Sequence, residues 1–192
     1  MVGDCGTNMA MPASSNRKPR PPLTAAKLEE LALNYVGRFA TSRAKLVSYL
    51  HRKLRERGWA SDCDPAIEEL ADRMVRLGYV DDRAFALSKA RSLTSRGYGE
   101  HRVRQALANA GIDVVAGTDA RDLAQEEAVA AALRFASRRS LGPYGARRLA
   151  PEERERALAA MLRAGHRFAL AKAIIDLNPG ENPDFENLVN LR

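Results

Sequence analysis

The sequence predicts an all-α protein, organised as an elongated tandem array of three three-helix repeats. Apolar residues recur at the three- and four-residue spacing of helices along most of the chain, and no stretch shows the alternating period of a strand. Apolar residues make up 45% of the chain and aromatic residues only 6%, which suits helices packed through Leu, Ala and Val. Glycines expected to end helices lie at positions 58, 111 and 165. Their intervals of 53 (111 − 58) and 54 (165 − 111) residues indicate one helical unit repeated three times.

Both ends of the chain are predicted to be tails. Residues 1–22 have almost no large apolar side chains and end in a basic, proline-rich run, so burial cannot offset the entropy of ordering them. A DNA-touching arm is the functional alternative to a plain disordered tail, and Met9 and Met11 are alternative translation starts. Regular structure is expected to stop near Pro179, which leaves residues 179–192 as a C-terminal tail.

The first repeat is predicted over residues 23–80. Thr24 and Ser42 are predicted to cap its first two helices. Their hydroxyl oxygens can accept hydrogen bonds from the free backbone N–H groups of a helix start. A third helix follows at about 64–77. Trp59, directly after the first helix-ending glycine, is expected to anchor the core between the helices, since no second aromatic residue is close to it in sequence.

The second repeat is predicted over residues 81–126. Asp81 and Asp82 stand before an apolar-periodic run, as expected of a helix cap. Gly97-Tyr98-Gly99 breaks that helix, since glycine tolerates the backbone angles of a tight turn. A second helix ends at the second of the three glycines, and a third lies within 113–127.

The third repeat is predicted over residues 127–178. It begins with an alanine-rich helix, followed by a loop rich in Gly and Pro at 141–145. Pro151 opens the next helix, because a proline at the first helical position lacks only an N–H that has no helical partner. The last helix spans about 167–177.

One pattern extends from the end of the first repeat through the second. It consists of Gly78-Tyr79-Val80-Asp81-Asp82, Phe85-Ala86, Arg96-Gly97-Tyr98-Gly99, Leu107 and Gly111-Ile112. With Ser42-Arg43-Ala44-Lys45-Leu46 and Arg57-Gly58-Trp59 upstream, it resembles the RecX family of regulatory proteins, which act on the RecA recombinase. The resemblance covers the first two repeats well and the third more loosely.

The resemblance implies both a shape and a role. Its members are curved arrays of three-helix repeats that bind along the groove of the RecA–single-stranded DNA filament. They modulate, and usually inhibit, filament growth, ATP hydrolysis and strand exchange, in the setting of homologous recombination, DNA repair and the SOS response. The implied partners are the RecA filament and single-stranded DNA, with double-stranded DNA as a further candidate, and we expect a monomer.

Charge follows the same period as the helices. The net charge is +7, which points to an anionic partner such as nucleic acid. Residues 38–57, 83–104 and 134–148 are basic, whereas 62–82 and 113–127 are acidic, so the first helices of each repeat tend to be basic. Ordinary charge pairing on solvated helices is the alternative explanation. The candidate contacts to phosphate or to an acidic filament surface are Arg52, Lys53, Arg55 and Arg57, then Arg96, Arg102 and Arg104, then Arg138, Arg139, Arg147 and Arg148.

Catalytic, metal and cofactor sites are not expected. His51, His101 and His166 have no second ligand at helical spacing, so surface or capping roles are predicted for them. Cys5 and Cys63 suggest neither a zinc site nor a disulfide framework, and a reducing cytoplasm is the expected location. No run of about 18 apolar residues and no signal-peptide core is present, so we expect no membrane contact.

Two alternatives to the filament regulator stay open at this stage. One is an independent DNA-binding module, such as a repressor that uses Gly97-Tyr98-Gly99 as the turn of a helix-turn-helix. It predicts a preference for particular duplex sequences. The other is a scaffold that binds only protein, for which binding to RecA would be insensitive to salt and independent of DNA.

Overall fold

A computed structural model describes residues 21–191, and most of the predicted N-terminal tail lies outside that range. Within residues 21–191 the chain forms ten α-helices and one short 3₁₀ turn, with no strand. The all-α prediction is confirmed. The helices are α1 Ala25–Val36, α2 Arg43–Arg57, α3 Ile67–Arg76, α4 Asp82–Ser95, α5 Glu100–Ala108, α6 Thr118–Glu126, α7 Ala128–Arg138, α8 Pro151–Arg163, α9 Phe168–Asp176 and α10 Phe185–Val189.

The helices gather into three groups, each with its own apolar core. Unit 1 is α1–α3, unit 2 is α4–α6 and unit 3 is α7–α10. Small domains of this size bury little surface alone, so neighbouring units must stack to add to it. The boundaries 23–80, 81–126 and 127–178 stay a proposal for the three-helix repeats, and α10 packs on the third repeat beyond its proposed end. The fully buried large side chains include Leu46, Leu50 and Met74 in unit 1, Val103 and Leu107 in unit 2, and Val129, Met161 and Ile174 in unit 3.

Side-chain caps begin three of the helices where the sequence predicts them. The Thr24 Oγ1 and Ser42 Oγ atoms each accept a hydrogen bond from a backbone N–H three residues on, at 3.3 Å. Asp81 Oδ1 accepts from the Ala84 N–H at 2.9 Å. Trp59 packs against the core of unit 1, as predicted, and its indole N–H donates to the Cys63 carbonyl at 2.6 Å.

The prediction that regular structure stops near Pro179 is wrong. The short helix α10 follows, and the Asp184 side chain caps it by accepting from the Asn187 N–H at 3.2 Å. Leu188 is 5% exposed and belongs to the core of unit 3. A five-residue helix is too short to show a helical period in sequence, and it is held by its one buried leucine rather than by propensity.

Unit 2 joins unit 1 through the ends of two helices. Ser42 Oγ, at the start of α2, donates to the Ala110 carbonyl beyond the end of α5 at 2.5 Å. Gly111 follows that carbonyl with a φ of 67°, and a Cβ there would overlap the Ala44 side chain. The end of the second helix of unit 2 therefore lies against the start of the second helix of unit 1.

Unit 3 joins unit 2 in the same way. The Gly99 N–H donates to the Ala164 carbonyl at 2.9 Å, and the His101 N–H donates to the Gly165 carbonyl at 3.1 Å. Carbonyls at the end of α8 thus satisfy N–H groups at the start of α5, and the negative end of one helix dipole meets the positive end of the other. The recurring glycines at 111 and 165 are the contact points between units.

Candidate nucleic-acid interface

The predicted basic residues of unit 1 are partly engaged in local bonds. Arg52 and Lys53 lie 3.7 Å and 2.6 Å from carboxylate oxygens of Glu56, one helical turn away. Arg57 donates two hydrogen bonds, at 2.8 and 3.0 Å, to a backbone carbonyl at the start of the described chain. Arg55 is exposed. The role of this set in binding stays a prediction.

Two predicted residues of unit 2 have structural partners instead. Arg102 donates to Gln105 at 2.9 Å. Arg104 forms an ion pair with Glu100, a carboxylate that is only 3% exposed, and Arg167 of unit 3 pairs with the same carboxylate at 3.1 Å. A buried charge is costly unless it is neutralised, so these two arginines compensate Glu100 at the junction of units 2 and 3.

Arg147 is likewise tied to the start of α8. Its guanidinium binds Glu153 in a bidentate manner, at 2.7 and 2.8 Å, and that carboxylate also accepts the Ala150 N–H at 2.9 Å. The hydrogen bond from Arg147, followed by the one from Ala150, lowers the pKa of Glu153 to about 2. Arg148 beside it is exposed. Arg147 therefore helps to begin a helix.

The other predicted arginines meet in one place. Arg96, Arg138 and Arg139 line a cleft of about 330 Å³ between units 2 and 3, together with Arg163, which the sequence analysis did not select. Among residues 21–191, no acidic side chain lines this cleft. We call it the arginine cleft, and its lining residues are Arg96, Tyr98, Phe135, Arg138, Arg139, Ala160, Arg163 and Ala164.

Aromatic rings and backbone atoms position these guanidinium groups. The Arg96 guanidinium carbon lies 5.3 Å from the centre of the Tyr98 ring, and that of Arg139 lies 5.1 Å from the centre of the Phe135 ring. Both distances fall within the range of cation–π attraction. Arg138 donates to the Arg96 carbonyl at 2.7 Å, which links unit 3 to unit 2.

The four arginines of the cleft have no acidic partner among residues 21–191, where none of them lies within 4.0 Å of a carboxylate. Four like charges around one cleft repel one another, and an anion between them relieves that repulsion. The planar guanidinium group matches phosphate oxygens in a bidentate geometry. The cleft is therefore suited to a phosphate group or a phosphate backbone.

The basic surface continues along α7 beyond the arginine cleft. A neighbouring cleft of about 440 Å³ is lined by Arg134 and Arg138, with Tyr144 and Phe185 among its other residues. A third, of about 250 Å³, is lined by Arg91 and again by Arg134. Adjacent clefts share Arg138 and Arg134, so the three lie next to one another along α7. Glu127 is the acidic residue among their linings, and it pairs with Arg134 at 2.6 Å.

The arginines missed by sequence reasoning depend on the junction between units. Arg163 ends α8 and reaches the cleft only because the following Ala164 and Gly165 dock on unit 2. Arg91 and Arg134 lie on helices of different units that meet there. Their basic character is visible in the sequence, but their proximity to one another is not.

The surface or capping role predicted for His166 is wrong. It is 3% exposed, its Nε2 lies 3.1 Å from the Gly97 carbonyl oxygen, and its ring packs edge-on against Phe135 with centres 5.5 Å apart. Burial lowers the pKa of His166 to about 4, although the hydrogen bond to Gly97 acts in the opposite direction. The residue is a neutral part of the junction between units 2 and 3.

The described residues offer few other sites for chemistry. Within 21–191, no group of three or more His, Cys, Asp and Glu side chains is placed to hold a metal ion. In the same range, no helix has the length and apolar character needed to cross a bilayer. The basic surface at the junction of units 2 and 3 is thus the main candidate site.

Comparison with known proteins identifies the family. The family model described as "RecX, second three-helix domain" matches residues 81–114. The regulatory protein RecX of Myxococcus xanthus (strain DK1622) is 34% identical over 173 residues, which cover 85% of this chain and 91% of that relative. The chain belongs to the RecX family. The resemblance seen in the sequence is confirmed.

Other RecX proteins match shorter segments. The regulatory protein RecX of Vibrio cholerae (strain O395) is 40% identical over 58 residues, covering 30% of this chain and 36% of the relative. That of Mycobacterium sp. (strain JLS) is 32% identical over 108 residues, covering 56% and 57%. The crystal structure of RecX from Lactobacillus salivarius superposes with a TM-score of 0.55 at 22% identity, covering 79% of this chain and 94% of that one. The helical repeat fold of RecX is therefore shared.

Proposed function

We propose that this RecX-family protein is a non-enzymatic regulator that binds the RecA–single-stranded DNA filament. It inhibits the ATPase of RecA, filament growth and strand exchange, and it acts in the cytoplasm, where recombination takes place. The observation that carries this proposal is the arginine cleft with its continuation along α7. A phosphate backbone, bare or within the filament, is the ligand that best neutralises such a surface.

The repeat architecture supports a filament partner. The three units are joined in series, so the chain presents the basic surface at the junction of units 2 and 3 and, apart from it, the surface of unit 1. An array of this kind can contact neighbouring subunits of a filament at the same time, and linked contacts raise the overall affinity above that of each contact alone. One binding event can then block further growth.

The geometry argues against the helix-turn-helix alternative. In that mode the start of the second helix reaches the base edges in the major groove. Here the start of α5 is covered, because the Gly99 and His101 N–H groups donate to carbonyls at the end of α8. We therefore favour contact with the backbone over reading of a duplex sequence.

The salt dependence of filament binding tests the proposal. Arg139→Gln/Arg163→Gln removes two cleft charges that make no hydrogen bond to protein in the described range. On single strands, each lost phosphate contact reduces the slope of log K against log salt by about 0.7, so the double variant should lose about 1.4. The measurement is equilibrium binding to preformed RecA filaments between about 50 and 200 mM salt.

A matched control removes the same charge elsewhere. Arg76 and Arg156 are exposed and lie outside the arginine cleft and its continuation, so Arg76→Gln/Arg156→Gln should leave the slope nearly unchanged. Equal effects of the two double variants would show that net charge, and not the cleft, drives binding. That result would contradict the assignment of the site.

A further inference from the structure

Unit 1 carries a cluster of three aromatic rings that is separate from the basic surface along α7. The rings of Tyr35 and Tyr49 stack with centres 4.1 Å apart and planes inclined by 12°. Phe39 leans on Tyr35 with centres 5.5 Å apart and planes inclined by 49°. The two tyrosines are half-buried and pack against the core of unit 1, whereas Phe39 is 57% exposed. Phe39 is therefore an exposed ring that is held in place by a tyrosine packed on the core of unit 1.

The position of Phe39 is not explained by packing within the fold. Helix α1 ends at Val36, and Gly37 caps it, so Phe39 lies beyond the helix on the exposed side of the connection to α2. A single exposed apolar residue is common on protein surfaces. An exposed ring that packs at an angle on one member of a stacked tyrosine pair is a more specific arrangement.

Cations surround the aromatic cluster. The Arg52 guanidinium carbon lies 5.5 Å and the Lys53 ammonium nitrogen 5.7 Å from the centre of the Tyr49 ring. Arg38 is exposed and directly precedes Phe39 in the chain. Glu56 pairs with both Arg52 and Lys53, so these two cations and one carboxylate leave the cluster with a net positive charge.

We propose that Tyr35, Phe39 and Tyr49 form a stacking platform for an unpaired nucleic-acid base. Proteins that bind single strands combine a basic surface for the backbone with aromatic faces for the bases. A base placed on Phe39 covers an exposed ring that packs on Tyr35, and the cations beside Tyr49 are available to the phosphates of the same strand. The platform selects single strands, since the bases of a duplex are already stacked on each other. This proposal rests on the proposed function and adds a second contact to it, made by aromatic rings and bases instead of arginines and phosphates.

Binding to a single-stranded oligonucleotide without RecA tests the platform. The variant Phe39→Ala should weaken binding of a fluorescent oligo-dT by about fivefold to a hundredfold, the range measured for loss of one stacking contact. The salt slope should stay unchanged, because no charge is removed. Phe39→Trp should keep the affinity, and its added indole fluorescence should be quenched when the oligonucleotide binds.

Phe168→Ala is the matched control, because Phe168 lies in unit 3 and is 56% exposed, almost the same as Phe39. It should bind the oligonucleotide like the wild type. Equal affinity of the wild type and Phe39→Ala would overturn the platform and leave the proposed function intact. A wild-type protein that binds no oligonucleotide would also overturn the platform, whereas failure to bind preformed RecA filaments would contradict the proposed function. A Phe39→Ala defect seen only with RecA alone would overturn the platform in favour of a protein contact.

Discussion

His166 shows how one side chain can link stability to pH. In its neutral form, Nε2–H donates to the Gly97 carbonyl, and the buried Nδ1 has no hydrogen-bond partner within residues 21–191. A second proton would have to sit on Nδ1 without an acceptor, in a buried site. The folded pKa of about 4 therefore lies below the ordinary value of 6.5.

The sign of the pH effect follows from that order of pKa values. Between pH 6.5 and 4 the unfolded state binds the proton more readily, so stability should fall as the pH is lowered through this window, by up to about 3 kcal/mol. Urea unfolding of the wild type and of His166→Gln between pH 7 and 4 measures this loss of stability. The free energy of unfolding of the variant should depend less on pH. His101→Gln, at an exposed histidine, should behave like the wild type. Identical profiles for all three proteins would contradict the role of His166.

At the residue scale, local chemistry could be predicted and tertiary contacts could not. Thr24, Ser42 and Asp81 cap helices as expected, because a cap depends on residues within a few positions. His166 was misjudged because its bond to Gly97 spans 69 residues of sequence. The contact of Tyr49 with Tyr35 was missed for the same reason, since it joins two helices.

The junctions between units can be tested at the scale of the element. Gly165 and Gly78 both follow a helix end with positive φ, at 94° and 76°, so alanine strains the backbone at either position by about 1 kcal/mol. A Cβ at Gly165 would also overlap the backbone of Arg102, whereas a Cβ at Gly78 has no atom within 4 Å. Gly165→Ala should therefore cost about 1–3 kcal/mol more than Gly78→Ala.

Thermal or urea unfolding of the two variants makes the comparison directly. The extra cost arises because unit 3 must move away from the start of α5 or distort the end of α8. Equal destabilisation by the two alanines would mean that the junction tolerates a methyl group. The end-to-end packing of the helices would then not be as tight as described.

The spacing of the helix-ending glycines predicted the helical repeat, but not which of these glycines contact a neighbouring unit. Spacing in the sequence indicated where each second helix ends. The structure shows that Gly111 faces Ala44 and Gly165 faces Arg102 of the preceding unit, whereas the space beside Gly58 is open. These contacts between units are not visible in the spacing of the glycines. Helix α10 escaped prediction because one buried leucine holds it, and no period exists in five residues.

At the scale of the whole molecule, the basic clusters have different roles. Arg96, Arg138 and Arg139 meet in one cleft with Arg163, while Arg104 and Arg147 neutralise carboxylates within the fold. Charge counting along the sequence could not separate these roles, because both sets consist of arginines and lie in the same basic stretches of the chain. The cleft arginines come together only when units 2 and 3 dock, whereas Arg104 and Arg147 find their carboxylates a few residues away.

The measurement that tests the regulatory role most directly is the ATPase rate of RecA on single-stranded DNA, titrated with this protein. We expect the wild type to lower the rate at well below one molecule per RecA, since a regulator that stops filament growth acts on many subunits. Arg139→Gln/Arg163→Gln should require a higher ratio for the same effect. An unchanged rate at every ratio, with binding to single-stranded DNA intact, would contradict the account and favour an independent DNA-binding module.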